Sequence, residues 1–392
     1  VLQSGGIHII DHSFCCGISM EKEHDKYNLI RLWVVTVVFL GFILFIPILT
    51  ILRMGIKHIP IKDYGENILG KYKLISLNTA LSETISGGEY MESNEVLLGK
   101  DGWLFYKVTT DGTPLYDYMG INSFSGEELA SAYGSLMNTA DTIFFHDAIS
   151  GEKNLYSGNI KLAVLTIPNK EQVYSEYMPD TVEKINDTSR LMQFTDYVGK
   201  RGHEPMTMDR YVPSWTYTDI SDEFIRAHND YPLYYKTDTH WTDVGAYLAL
   251  AKVMDSLGKR SLIGGIKDEK EQNEDVLTGI RFTQEPGFVG DLTRISATQE
   301  RYTDVRYVIN PDSIPDKYKT NKKLLIVGDS FGDAMQHVAK HCFKEVRFLD
   351  IKEYGDKFEY TLDTYDPDLV ILECVERYLP RLAHLYETEQ IP

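Results

Sequence analysis

The sequence predicts an α/β fold in which a mainly parallel sheet lies between layers of helices. Three observations carry this. Leu324, Leu325, Ile326 and Val327 form a short unbroken apolar run, the pattern of a strand buried on both faces. It leads straight into Gly328-Asp329-Ser330-Phe331-Gly332 and a helical stretch from Asp333 to Lys340. Leu162–Ile167, Glu345–Leu349 and Asp368–Cys374 are three further strands of the same kind. Between them, Asp243 to Leu257 carries Val244, Tyr247, Leu248, Ala251 and Met254 at helical spacing and stops at Gly258. Four such strands with intervening helices indicate a flavodoxin-like three-layer sandwich.

Taken in order, residues 1–31 read as an upstream segment, with Met20 as the expected start and Cys15 and Cys16 before it. Leu32 to Leu52 holds no charged residue and is long enough, at about 1.5 Å per residue, to cross a hydrocarbon core of roughly 30 Å. No small-residue cleavage site follows it, so a retained signal anchor is expected. Lys and Arg are nearly balanced on its two sides, and the positive-inside rule does not orient it. Residues 53–90 read as a stem, and the remainder, 91–392, as one catalytic domain. That domain opens with a hairpin turning at Lys100-Asp101-Gly102-Trp103. A helix from Ser125 to Ala148, capped by Ser125 and broken near Gly134, comes next. Ser189–Lys200 is a further helix and Met206–Asp209 a strand. Tyr211–Tyr235 reads as a looping segment, and 260–320 as an insertion across the sheet edge.

The chemistry concentrates where strands end. A serine between a buried strand and a helix sits at the carboxyl edge of a sheet, where open α/β folds place ligands. Amides at the helix start, those of Gly328 and Asp329 among them, lie where an oxyanion would develop. A Gly-Asp-Ser turn alone would serve as a helix cap, so the serine needs a base. Tyr235-Lys236-Thr237-Asp238-Thr239-His240-Trp241 supplies one. In an extended segment residues two apart point the same way, so Asp238 and His240 share an edge. A Ser330–His240–Asp238 triad is therefore expected. The loop Pro168-Asn169-Lys170 emerges at the same edge. Asn169 is a candidate second oxyanion donor and Lys170 a candidate substrate contact, against the plainer roles of turn and solvated charge. Trp241 either shapes the acyl pocket or packs beneath its loop. Arg377, after the last strand, either contacts a sugar or acyl group or forms an internal ion pair.

Gly-Asp-Ser-Phe after an apolar strand, with Asp-x-His-Trp upstream, resembles the SGNH-hydrolase-like domain of the alginate O-acetyltransferase AlgX/AlgJ family and the related DHHW proteins. Val96–Tyr106, Ile167-Pro168-Asn169-Lys170 with Tyr174, and Gly290-Asp291-Leu292 fit the resemblance. It spans about residue 90 to the C-terminus. In the common SGNH pattern the serine comes early and the histidine last. Here Asp238 and His240 precede Ser330, the order of the AlgX-like group. The resemblance implies a cytoplasmic N-terminus, a catalytic domain outside, and acetyl transfer to a polysaccharide hydroxyl.

Composition narrows the classes. A net charge of −18 and a pI near 5.1, without a basic stripe, argue against nucleic acid. Four cysteines make no disulfide scaffold. No phosphate-binding glycine loop or zinc-ligand spacing occurs, so the sequence points to no metal and no cofactor. The expected function is membrane-anchored O-acetyl transfer through an acyl-enzyme, with a polysaccharide as acceptor. A polytopic membrane acyltransferase would hand over the acetyl group, since a tethered domain cannot reach a cytosolic donor. The alternatives are an acetyl esterase with the same triad, and a non-catalytic polysaccharide-binding assembly protein.

Overall fold

The computed structural model describes residues 33–60 (save 35, 38, 42 and 43), 68–86, 93–108, 112–150, 160–201, 215–258 and 276–386. Residues 1–31, the expected strand Met206–Asp209 and part of the expected insertion lie outside the described residues. The chain divides into two units, Val1–Ile75 and Ser76–Pro392. In the first, the helix containing Phe39–Ile56 is long and apolar enough, by length and composition, to cross a membrane. A helix, Lys71–Ile85, lies in the stretch read as a stem.

The second unit opens with an antiparallel hairpin, β1 (Val96–Leu98) against β2 (Leu104–Tyr106). Asp101 and Gly102 turn it, both in left-handed backbone. Its centre is a five-stranded sheet of order β4-β3-β9-β7-β8: β3 is Lys161–Ile167, β4 Trp215–Asp219, β7 Thr320–Gly328, β8 Phe343–Asp350 and β9 Leu369–Val375. Every pairing in it is parallel. β4 corrects the looping segment expected over Tyr211–Tyr235, which also holds a helix, α3 (Ser221–Ala227). Alternating Thr and Tyr in β4, at the sheet edge, lack the unbroken apolar run that marks the inner strands.

Alternation along the strands sorts the core into two layers. Leu165, Ile167, Leu324, Ile326 and Ile371 face α4 (Asp243–Gly258) and α5 (Ser330–Ala339). Val164, Leu325, Val327, Val370 and Leu372 face α1 (Gly126–Ser150), α2 (Arg190–Arg201) and α6 (Tyr354–Tyr365). The sheet thus has helices on both faces, as its apolar strands require. At the start of α1, Ser125 and Glu128 form a reciprocal capping box: each main-chain N–H donates to the other's side chain, at 2.7 and 3.2 Å. The helix runs unbroken through Gly134.

From β3 the chain steps outward to β4. It then crosses to the far side for β7 and β8, and β9 closes the gap between β3 and β7. The order reverses at this gap, and such switch points are where open α/β sheets hold ligands. The segment expected as an insertion forms a separate antiparallel pair, β5 (Phe282–Phe288) with β6 (Asp304–Ile309).

Candidate active site

Gly328 ends β7 and Ser330 begins α5, with Asp329 between them as the N-cap. The Asp329 carboxylate accepts the N–H of Phe331 at 2.8 Å, which caps the helix. Its other oxygen accepts the N–H of Val375 at 3.0 Å, which ties the turn to the end of β9. Beneath it lies Glu373, a fully buried carboxyl that accepts the Asp329 N–H at 3.1 Å. A side chain on Gly328 would collide with this carboxyl, and one on Gly332 would sit 2.8 Å from it. The Gly-x-Ser-x-Gly spacing here makes room for Glu373. Burial pushes the Glu373 and Asp329 acids up, and the charge of Asp329 drives Glu373 further in that direction.

Ser330 is exposed, and its hydroxyl lies 2.7 Å from His240 Nε2. His240 Nδ1 lies 2.7 Å from Asp238 Oδ1. A carboxylate only accepts, so Nδ1 carries the proton of the neutral ring and Nε2 is free to accept from the serine hydroxyl. Extended chain would set Asp238 and His240 side by side on one edge. The structure makes a tight loop instead: Tyr234 and Trp241 form an antiparallel bridge, and Tyr235 N–H donates to His240 O at 3.2 Å. Asp238 meets His240 because its Oδ1 also accepts the His240 N–H at 3.0 Å, an aspartate folding onto the backbone two residues on.

Burial alone would lower the His240 pKa. The hydrogen bond and charge of Asp238, helped by Asp291, offset this and hold it above its ordinary value, while Arg377 opposes them. Burial disfavours the Asp238 carboxylate, yet His240 and the N–H groups of Asp291 and His240 keep it well below the usual range.

The remaining expected residues divide. Lys170 is not placed to touch a substrate. It is 2 % exposed, and its ammonium donates to the carbonyls of Asp238 at 2.8 Å and Tyr235 at 3.2 Å, so it props the histidine loop from behind. Burial depresses its pKa to about 8. Asn169 is completely buried, its amide nitrogen donating to Asp117 at 3.2 Å and its oxygen accepting the Arg377 N–H at 3.3 Å. One amide N–H and the oxygen of that side chain are thus engaged inside the fold, and its complete burial sets it apart from the exposed Ser330. The Asp329 N–H, offered as another donor, is likewise taken by Glu373. Among the described residues, the Ser330 N–H is the amide of this turn left without an acceptor. Trp241 is packed in the core, its ring centroid 5.2 Å from that of Phe331. Arg377 is buried with its guanidinium 5.1 Å from the Phe331 ring centroid and 5.0 Å from that of Tyr378. Among the described residues it makes no ion pair within 4.0 Å, unlike the internal pair weighed from sequence.

Sequence reasoning gave no role to Glu373 or Asp291. A lone acid inside Leu-Val-Ile-Leu-Glu-Cys-Val was the available signal for the first. For the second it was the Gly290-Asp291-Leu292 stretch, noted without a function.

Residues 146–339, which hold Asp238, His240, Asp291 and Ser330, match the family model described as the SGNH hydrolase-like domain of acetyltransferase AlgX. Among curated proteins none matches the chain. Among solved structures, the O-acetyltransferase domain of Pseudomonas putida AlgJ is similar, at 19 % identity and a TM-score of 0.44 over 75 % of this chain and 99 % of that one. Bacillus cereus PatB1 is similar at 15 % identity and a TM-score of 0.45 over 73 % and 97 %. So is a DHHW family protein from Eubacterium siraeum, at 13 % identity and 0.47 over 76 % and 98 %. Through residues 146–339, just under half of its length, the chain carries an SGNH hydrolase-like domain of the AlgX type.

Proposed function

We propose that this protein is an O-acetyltransferase that moves an acetyl group to a polysaccharide hydroxyl through a serine acyl-enzyme. The observation that carries the reading is the linked pair of 2.7 Å contacts, Ser330 Oγ to His240 Nε2 and His240 Nδ1 to Asp238 Oδ1, at the sheet's carboxyl edge. Ser330 Oγ attacks the donor's acetyl carbonyl while His240 takes its proton. The oxyanion forms next to the free Ser330 N–H at the start of α5, where the helix end favours negative charge. The tetrahedral intermediate collapses to acetyl-Ser330, and His240 returns the proton to the leaving group. In the second half His240 deprotonates the acceptor hydroxyl, whose oxygen attacks the acetyl carbonyl. Ser330 then leaves and recovers its proton. Asp238 keeps the tautomer and stabilises each imidazolium.

The apolar helix containing Phe39–Ile56 would tether this domain outside the cytoplasm, with a polytopic membrane acyltransferase delivering the acetyl group. The test is the acetyl content of the cell's surface polysaccharide in a strain carrying Ser330→Ala, with an Asn94→Cys chain in the same background. Transfer predicts loss of acetyl. Hydrolysis predicts a rise, and no change would leave the site without this role. With Cys15 and Cys16 replaced, the exposed Asn94→Cys should react with an impermeant maleimide in intact cells, and the buried Cys342 and Cys374 should not. Labelling only after lysis would put the domain inside and end the polysaccharide reading.

A further inference from the structure

Asp291 begins the short helix Asp291–Ile295 that follows β5, and it touches the histidine loop three times. Its main-chain N–H donates to Asp238 Oδ2 at 2.8 Å, on the carboxylate oxygen that His240 does not use. Its Oδ1 accepts the Thr239 N–H at 2.8 Å, and its Oδ2 accepts the Thr239 hydroxyl at 2.6 Å. The same Oδ2 lies 3.6 Å from His240 Nδ1, and the Thr239 hydroxyl lies 3.3 Å from that nitrogen. Asp304, on β6, accepts the Thr237 N–H at 2.7 Å. The β5–β6 segment therefore grips three consecutive residues, Thr237, Asp238 and Thr239, of the loop that presents the base.

We propose that Asp291 is a positioning residue for the transfer reaction: it fixes the Asp238–His240 pair and sets a second negative charge against the imidazolium formed in each half-reaction. The inference rests on the Ser330–His240 chemistry proposed above. A triad acid needs both oxygens satisfied, or it can rotate away from the imidazole. Here His240 holds one oxygen and the Asp291 N–H the other. The Asp291 side chain meanwhile orients Thr239, the residue between the two catalytic groups.

The charged and polar groups around His240 come from every side. Asp238 and Thr239 belong to its own loop, and Asp291 comes from the β5–β6 segment. Ser330 and the buried Asp329 come from the start of α5, and Arg377 from beyond β9. Asp291 stays partly open to solvent, its side chain 31 % exposed against 10 % for Asp238. Its charge is therefore partly screened, and its effect is modest.

The test uses the full chain with p-nitrophenyl acetate, following kcat/KM against pH. Asp291→Asn keeps the shape and removes the charge. Its acid limb should move to lower pH by about half a unit, since the imidazolium loses stabilisation. Asp291→Glu, which retains the charge, should return the limb toward the wild-type position while kcat stays reduced. Thr239→Val removes the hydroxyl link and leaves the charge, so it should lower kcat without moving the limb. An unmoved limb in Asp291→Asn, or an equal shift in Thr239→Val, would overturn the proposal. Direct titration of the His240 ring by NMR in a Ser330→Ala background reads the same charge effect without activity. Wild-type hydrolysis by Ser330→Ala alone would instead defeat the nucleophile assignment, and the NMR shift would still decide the role of Asp291.

Discussion

His240 acts in opposite senses within one turnover of the proposed chemistry, first as base and then as acid, and its neighbours bear on both. A pKa held above the ordinary value of about 6.5 makes it a stronger base but removes the neutral form earlier as pH falls. The acid limb of kcat/KM on a small acetyl ester should therefore lie above pH ~6.5. Ser330→Ala and His240→Ala should each lower that kcat/KM on the order of 10³-fold or more with the fold intact, and Asp238→Ala somewhat less. Near-wild-type rates in His240→Ala, with circular dichroism unchanged, would remove the base from the mechanism. Lys170 belongs at this scale too. Its three carbonyl contacts, to Tyr235, Lys236 and Asp238, hold loop backbone that would otherwise leave buried oxygens unsatisfied.

At the scale of elements, the turn that carries Ser330 depends on the strand beside it. Asp329 is bonded to Val375, and Glu373 lies under Gly328 and Gly332, so the end of β9 shapes the turn that carries Ser330. Gly328→Ala should destabilise the domain by about 1–3 kcal/mol through overpacking against that carboxyl, and should reduce activity as well. A denaturant midpoint equal to wild type would show that the turn has room to spare. In Gly328→Ala combined with Glu373→Ala the losses should be less than additive, because the second change removes what the new methyl strikes. The β5–β6 segment holds the histidine loop in the same way, through Asp291 and Asp304.

Across the whole molecule, many acids are buried. Burial, and then the charge of Asp117, push Glu376 up to about 7. Burial also raises Glu373, Asp329 and Glu171. A folded-state carboxyl with a raised pKa keeps its proton where the unfolded chain has lost it, so stability falls as pH rises through that interval. For Glu376 the interval runs from the ordinary glutamate value of about 4.3 to about 7. His240, with its raised pKa, adds stability that is complete below ~6.5 and lost as pH rises through its folded value, the same direction. Asp238 runs the other way, but its contribution is complete above ~3.9 and is lost only in stronger acid. The domain should melt several degrees higher near pH 5 than near pH 8, and Glu376→Gln should flatten that slope. A melting temperature that rises from pH 5 to 8 would show that these acids are ionised at no cost in the native state.

The inner strands were legible in the sequence because parallel strands buried on both faces must be unbroken apolar runs, as in Leu324–Val327 and Leu162–Ile167. Ser330 was legible because a serine between such a strand and a helix has few other reasons for its place, and His240 because an acid stands two residues before it. Strand β4 was not, since an edge strand such as Trp-Thr-Tyr-Thr-Asp need not be apolar throughout. The sequence by itself determined the alternation of strands and helices and the residues that meet at one sheet edge, because burial and period are local properties. Only the tertiary structure decided that β9, last in the chain, sits at the sheet's centre. It alone decided that Glu373 lies beneath the turn that carries Ser330, that Asn169 and Lys170 are consumed by the interior, and that Asp291 reaches the base loop. Each of these is a contact between residues tens to hundreds of positions apart, and hydrogen-bond geometry across such distances leaves no period for a sequence to display.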